Sequence, residues 1–111
     1  MKPIPIFIGY DPREAIAFHT CVNSIIRHAS QPVSIMPLAL NNFQDYTETH
    51  TDGSNQFIYS RFLVPYLMDF SGQAIFMDGD MIVRGDIAEL WALRDLGKDV
   101  MVVKHLSLIH I

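Results

Sequence analysis

An α/β fold on a mostly parallel sheet is what the order of apolar runs predicts, and three observations carry it. IPIFIG, residues 4–9, is a short β-rich run that ends in glycine and passes directly into a helix-start pattern. Apolar strand-like and helix-like segments then alternate along the chain, the order that builds parallel sheets. AIFMD, residues 74–78, is apolar on both faces, as strands in the middle of a parallel sheet are.

The elements follow in order. After the first strand, Asp11 can cap, Pro12 suits a first helical position, and Glu14 sits where it can reach back to close a capping box. Ala15, Phe18, Val22, Ile25 and Ala29 recur at three- and four-residue spacing, which predicts a helix over residues 12–29. PVSIMPL reads as a second strand, with Pro32 at its start and Pro37 marking an edge or irregularity. Residues 41–55 are polar and aperiodic, hence mostly loop. YSRFLVPYLM reads as a short helix in two pieces, with Pro65 at a kink or a fresh first turn. FSGQ is a turn before the AIFMD strand. DIAEL repeats the capping-box pattern with Asp86 and Glu89 and opens a helix carrying Leu90 and Trp91, and DVMVV reads as one more strand.

Length and composition limit the function classes. The chain has 111 residues, 50% of them hydrophobic and 18% charged, which describes one folded domain and not a disordered segment. A net charge of -4 with scattered Lys and Arg argues against a nucleic-acid groove. Cys21 is the one cysteine, which excludes an intramolecular disulfide and suits a reducing compartment. The first apolar stretch is broken by Pro3 and Pro5, unlike a signal peptide, and no run reaches the ~20 residues of a membrane span. A cytoplasmic protein without a transmembrane segment is the expectation; oligomeric state is not legible.

The chemistry concentrates in AIFMDGDMIV, residues 74–83, where two aspartates interrupt an apolar run. Ionised carboxylates are costly to bury unpaired, so each needs water, a donor or a cation. One reading is a plain Asp-Gly turn between two strands, which exposes both carboxylates to no purpose. The flanking runs are continuous where a solvated hairpin would alternate, which weighs against that reading. The other reading is a metal site. In extended chain, residues i and i+2 point the same way, so Asp78 and Asp80 project together, and Gly79 leaves room for close approach to the backbone. Two like charges favour a bound cation, and oxygen ligands select a hard ion, Mg²⁺ or Mn²⁺. The carboxyl end of a strand in an open α/β sheet is where ligands bind, and the Asp11 turn opens on the same edge if the strands are parallel.

FIGYD near the start, SRFLVPYL in the middle and IFMDGDMIVRGDIAELW together resemble the N-terminal part of a GT-A-fold glycosyltransferase of the glycogenin-like and bacterial lipopolysaccharide galactosyltransferase-like group. The resemblance extends to about Lys104 and implies a Rossmann-like nucleotide-sugar-binding domain, truncated, with residues 1–111 as its donor-binding part. It further implies that Asp78 and Asp80 hold a divalent ion, Mn²⁺ or Mg²⁺, on the donor diphosphate, and that Gly79 lies against the donor ribose. Tyr10 and Asp11 match the loop that holds the nucleotide base. Arg61 matches the arginine that braces the donor site, against the alternative of an ordinary surface arginine; Ser60 is a weaker match. The partners implied are a nucleotide-sugar donor, UDP-linked by expectation, and an acceptor that the sequence does not specify. No catalytic nucleophile can be named. The family's acceptor site and metal-completing histidine lie beyond the resemblance, and His105 and His110 do not match that histidine.

Two alternatives stand beside this one. Haloacid-dehalogenase-type phosphatases also carry D-x-D after an apolar strand, but on the first strand and with Thr or Val where this chain has Ile82. A nucleotide- or metal-binding piece without transfer activity is the other. His19 and His28, nine positions apart on the first helix, read as surface or partner histidines. Cys21 reads as a small packing residue and Trp91 as core or interface.

Overall fold

A computed structural model describes residues 2–39, 63–94, 97, 98, 100 and 101. Within these, β1 (Ile4–Gly9) leads through a 3-10 turn (Pro12–Glu14) into α1 (Ala15–His28), followed by β2 (Val33–Leu38). Then come α2 (Val64–Leu67), β3 (Ile75–Met77) and α3 (Ile87–Ala92). The strands form one sheet in the order β2-β1-β3, parallel throughout, as the sequence predicts.

Register sorts the side chains into two faces. Ile4, Ile6 and Ile8 lie level with Val33, Ile35 and Pro37 on one side, and Ile6 and Ile8 with Ile75 and Met77 on the other. With a side-chain period of two, this row faces one way while Phe7, Met36 and Phe76 face the other. The isoleucine row packs against Phe18, Cys21 and Ile25 of α1, with Met77 and Ile87 completing the cluster. All four large apolar residues of β1 are buried, each worth roughly 1.5–3 kcal/mol relative to exposure. β1 is therefore the central strand among the described residues.

Several expectations are refined. The α-helix begins at Ala15 and not at residue 12, because Asp11 caps the tighter 3-10 turn by accepting from the Arg13 N–H. Glu14 is the N-cap residue of α1 and its side chain makes no capping bond there, while the Asp11 side chain is engaged by Arg13. β3, expected in the middle of the sheet, flanks β1 at the margin of the described strands, and Ile75 and Phe76 are only half-buried. Pro37 does lie on β2 at a margin of the described strands, in register with Ile8 of β1. The turn before β3 forms with left-handed backbone at Asp69, Phe70 and Gly72. No hairpin partner follows β3 among the described residues: 78–86 runs as turn and coil, with Met81 and Ile82 exposed. DVMVV lies largely outside the described residues, and its described members Val100 and Met101 belong to no strand of the sheet.

Candidate functional site

The strand order sets a topological switch point between β1 and β3. From β1 the chain moves outward to β2, then returns past β1 to form β3 on its opposite flank. In open α/β sheets the gap beyond the carboxyl ends of strands, at such a reversal of order, is where ligands sit. Here the gap lies between the ends of β1 and β3, and the two motifs singled out in the sequence both lead from it.

Gly9, Tyr10 and Asp11 leave β1. The Tyr10 N–H donates to the Leu38 carbonyl at 3.3 Å, which prolongs the β1–β2 ladder by one bond. Its half-buried ring meets Phe18 edge to face at 5.1 Å between centroids. Both carboxylate oxygens of Asp11 are engaged by Arg13: Oδ1 accepts from the backbone N–H at 3.0 Å and from Nε at 3.1 Å, and Oδ2 from Nη2 at 2.9 Å. Those bonds, the side-chain ones foremost, hold the Asp11 carboxyl below its ordinary range. In this state Asp11 shapes the turn, and the Arg13 side chain, 74% exposed, carries the cation at its mouth.

Asp78, Gly79 and Asp80 leave β3. A Cβ built on Gly79 would overlap the Gly9 carbonyl oxygen and come within 3.9 Å of the Ile8 side chain. The two turns are thus in contact, backbone to backbone. The missing side chain at Gly79 has a use inside the protein, as space for the end of β1, besides any approach of a ligand. Asp78 and Asp80 are both exposed. The charge of Asp80 reaches Cys21 on α1, whose thiol is pushed above its ordinary value first by burial and second by that charge.

Beyond Asp80 the chain is tied to α1. The Val83 N–H donates to Ser24 Oγ at 2.9 Å, while that hydroxyl donates to the Cys21 carbonyl at 2.7 Å. Asp86 Oδ1 caps α3 by accepting from the Ala88 N–H at 3.0 Å, and also accepts from the Ser30 N–H at 3.1 Å just past α1. Hydrogen bonding from Ser30, then from Ala88, holds the Asp86 carboxyl below its ordinary range. The sequence identified Asp86 as a cap but not as a tie to α1. Ser24 was missed, although a serine on a stripe of Phe18, Cys21 and Ile25 is itself a signal.

Among the described residues no group of three or more His, Cys, Asp or Glu side chains could enclose a metal. Asp78 and Asp80 are two exposed carboxylates, and Mg²⁺ is commonly held by one or two carboxylates with substrate phosphates and water supplying the rest. His19 stacks edge to face on Phe18 and His28 Nδ1 meets the Ser24 carbonyl at 2.9 Å, so neither joins the aspartates. Cys21 is fully buried as a packing residue, and half-buried Trp91 packs on the core with the Arg94 guanidinium 4.3 Å from its ring centroid. Arg61 and Ser60 lie outside the described residues.

Comparison with known proteins adds a family. Residues 17–109 match the model of glycosyl transferase family 8, a span that includes Arg61 and the D-G-D turn, omits Tyr10 and Asp11, and runs beyond Lys104 into the tail. The chain is similar to Protein CDI of Arabidopsis thaliana, 40% identical over 108 residues, covering 94% of this chain and 42% of that protein. The chain therefore spans less than half the length of this curated relative. No solved structure matches.

Proposed function

The chain belongs to glycosyl transferase family 8, and on that footing we propose that it forms the donor-binding part of an enzyme that transfers a sugar from a nucleotide diphosphate, a UDP-sugar, to an acceptor. The observation that carries this reading is the contact of the two turns: Gly79 against the Gly9 carbonyl puts Asp78 and Asp80 at one crevice with Tyr10 and Asp11. A nucleotide-sugar needs a surface for its base and a counter-charge for its diphosphate, and the two turns offer these side by side.

In this reading Asp78 and Asp80 hold Mn²⁺ or Mg²⁺, with Gly79 beneath the ribose. Such a cation, when bound, supplies the charge that stabilises the departing diphosphate. The polypeptide supplies placement: β1 and β3 fix the two turns, Tyr10 and Asp11 face the base with Arg13 holding the Asp11 carboxylate, and Arg61 braces the donor. Retention of configuration is the outcome that the resemblance implies. The position of D-x-D after β3, with β1 and β2 before it among the described residues, disfavours the phosphatase alternative, in which the motif follows the first strand.

Calorimetric titration of UDP tests the reading. The wild type is expected to bind UDP with Mn²⁺ and to lose most of that affinity after chelation, and Asp80→Asn to bind weakly with or without the ion. Equal affinity in chelator removes the role of the aspartate pair.

A further inference from the structure

The D-G-D turn spans a short gap between two fixed points. On one side Met77 is buried in β3, in register with Ile8. On the other side Val83 packs against the core, and its N–H is held by Ser24. Only residues 78–82 lie between, and Gly79 among them abuts the Gly9 carbonyl. With both ends and Gly79 defined, the positions of Asp78 and Asp80 follow from the anchors. Of these, the Ser24 tie is the one made by a single side chain from another element.

Ser24 is well suited to be an anchor. It is 7% exposed and the one buried polar residue among the described residues. Its hydroxyl has one proton, which goes to the Cys21 carbonyl within its own helix, so its oxygen is left to accept. The Val83 N–H is that donor, from a residue 59 positions away. Such a serine costs helix propensity and apolar contact in the stripe of α1 that faces the sheet. A hydroxyl kept there links the helix to the segment that follows the aspartates.

We propose that Ser24 is a positioning residue for the donor site: by holding Val83, it sets the spacing of Asp78 and Asp80 for a cation bound together with a nucleoside diphosphate. The inference rests on the donor-site reading above. Ser24 touches no ligand in this account and acts through the backbone of residues 80–83. Removing its hydroxyl leaves the core packed and lets the turn drift, so binding falls more than stability alone requires.

The test compares the intact wild-type protein with Ser24→Ala and with Ile25→Val, a neighbouring buried substitution that lowers stability without touching the tie. Two quantities are read: amide hydrogen exchange at Val83 without ligand, and the UDP dissociation constant with Mn²⁺. Ser24→Ala is expected to speed exchange at Val83 and to weaken Mn²⁺-dependent UDP binding about tenfold, the low end for a residue that orients metal ligands. Ile25→Val is expected to bind as the wild type does. Should Ser24→Ala fail to fold, Ser24→Thr, which keeps the hydroxyl, is expected to fold and bind. Wild-type affinity in Ser24→Ala, or an equal loss in Ile25→Val, overturns the inference while leaving the donor site intact. Absence of Mn²⁺-dependent binding in the wild type overturns the donor-site reading itself, and this inference with it.

Discussion

A methyl group at position 79 has no place to go. The obstacle is the Gly9 carbonyl, which is backbone at the end of the most buried strand and cannot swing aside. Gly9 itself is different: a Cβ there would meet nothing within 4 Å. The two glycines of the site therefore predict opposite outcomes. Gly79→Ala should destabilise by about 1–3 kcal/mol, the usual cost of overpacking, and should weaken donor binding as the turns separate. Gly9→Ala should stay within about 0.5 kcal/mol of the wild type. Denaturant titration of both variants checks this, and equal stability of the two would contradict the contact. At this scale the aspartates and Gly79 were legible because charges inside an apolar run demand an explanation. The use of Gly79 was only half legible: a ligand and a neighbouring strand both need the absence of a side chain, and only the structure shows the strand. Ser24 was not read: its place on the apolar stripe of α1 marks it as unusual, but its partner Val83 is 59 positions away and no local pattern points to it.

At the scale of elements, capping chemistry was read well and its side contacts were not. Asp86 caps α3 as DIAEL predicts, but its Oδ1 also receives the Ser30 N–H, so one oxygen joins the end of α1 to the start of α3. Asp11 likewise starts the first turn, its carbonyl accepting from the Glu14 N–H at 2.8 Å, yet its side chain is engaged by Arg13. A charged oxygen accepts more strongly than a neutral one, so the folded-state pKa of Asp86 lies below the ordinary Asp value of about 3.9. Its contribution to stability is present in full above that ordinary value and is lost as pH falls through the lower, folded-state value. Asp86→Asn keeps the amide oxygen and removes the charge, so it should melt slightly below the wild type at pH 7. The gap should close in acid, below pH ~4. Asp86→Ala loses the acceptor itself and should melt lower than Asp86→Asn at neutral pH. Thermal melts across pH check this; a gap between wild type and Asp86→Asn that persists unchanged into acid would contradict the charge as its cause.

For the whole molecule, the alternation of strand and helix was enough to predict a parallel α/β sheet, because apolar continuity and capping patterns are local properties. Strand order was not legible, since it depends on which strand lies between the other two. The doubly apolar AIFMD suggested a middle strand, whereas IPIFIG occupies the middle of the described sheet and β3 flanks it. That order sets the carboxyl ends of β1 and β3 side by side, which explains why motifs almost seventy residues apart in the chain meet backbone to backbone. No helix among the described residues is long and apolar enough to cross a membrane.

The central claim is that the turns after β1 and β3 form one metal-dependent nucleotide site. Paramagnetic broadening of backbone amide signals by Mn²⁺, titrated at low occupancy with UDP into the intact protein, tests that placement directly. The account predicts strong broadening at Gly79, Asp80 and Met81, with Gly9, Tyr10 and Asp11 broadened in the same titration and both sets restored by chelation. Broadening centred elsewhere, with the amides of the D-G-D turn still sharp, would contradict it.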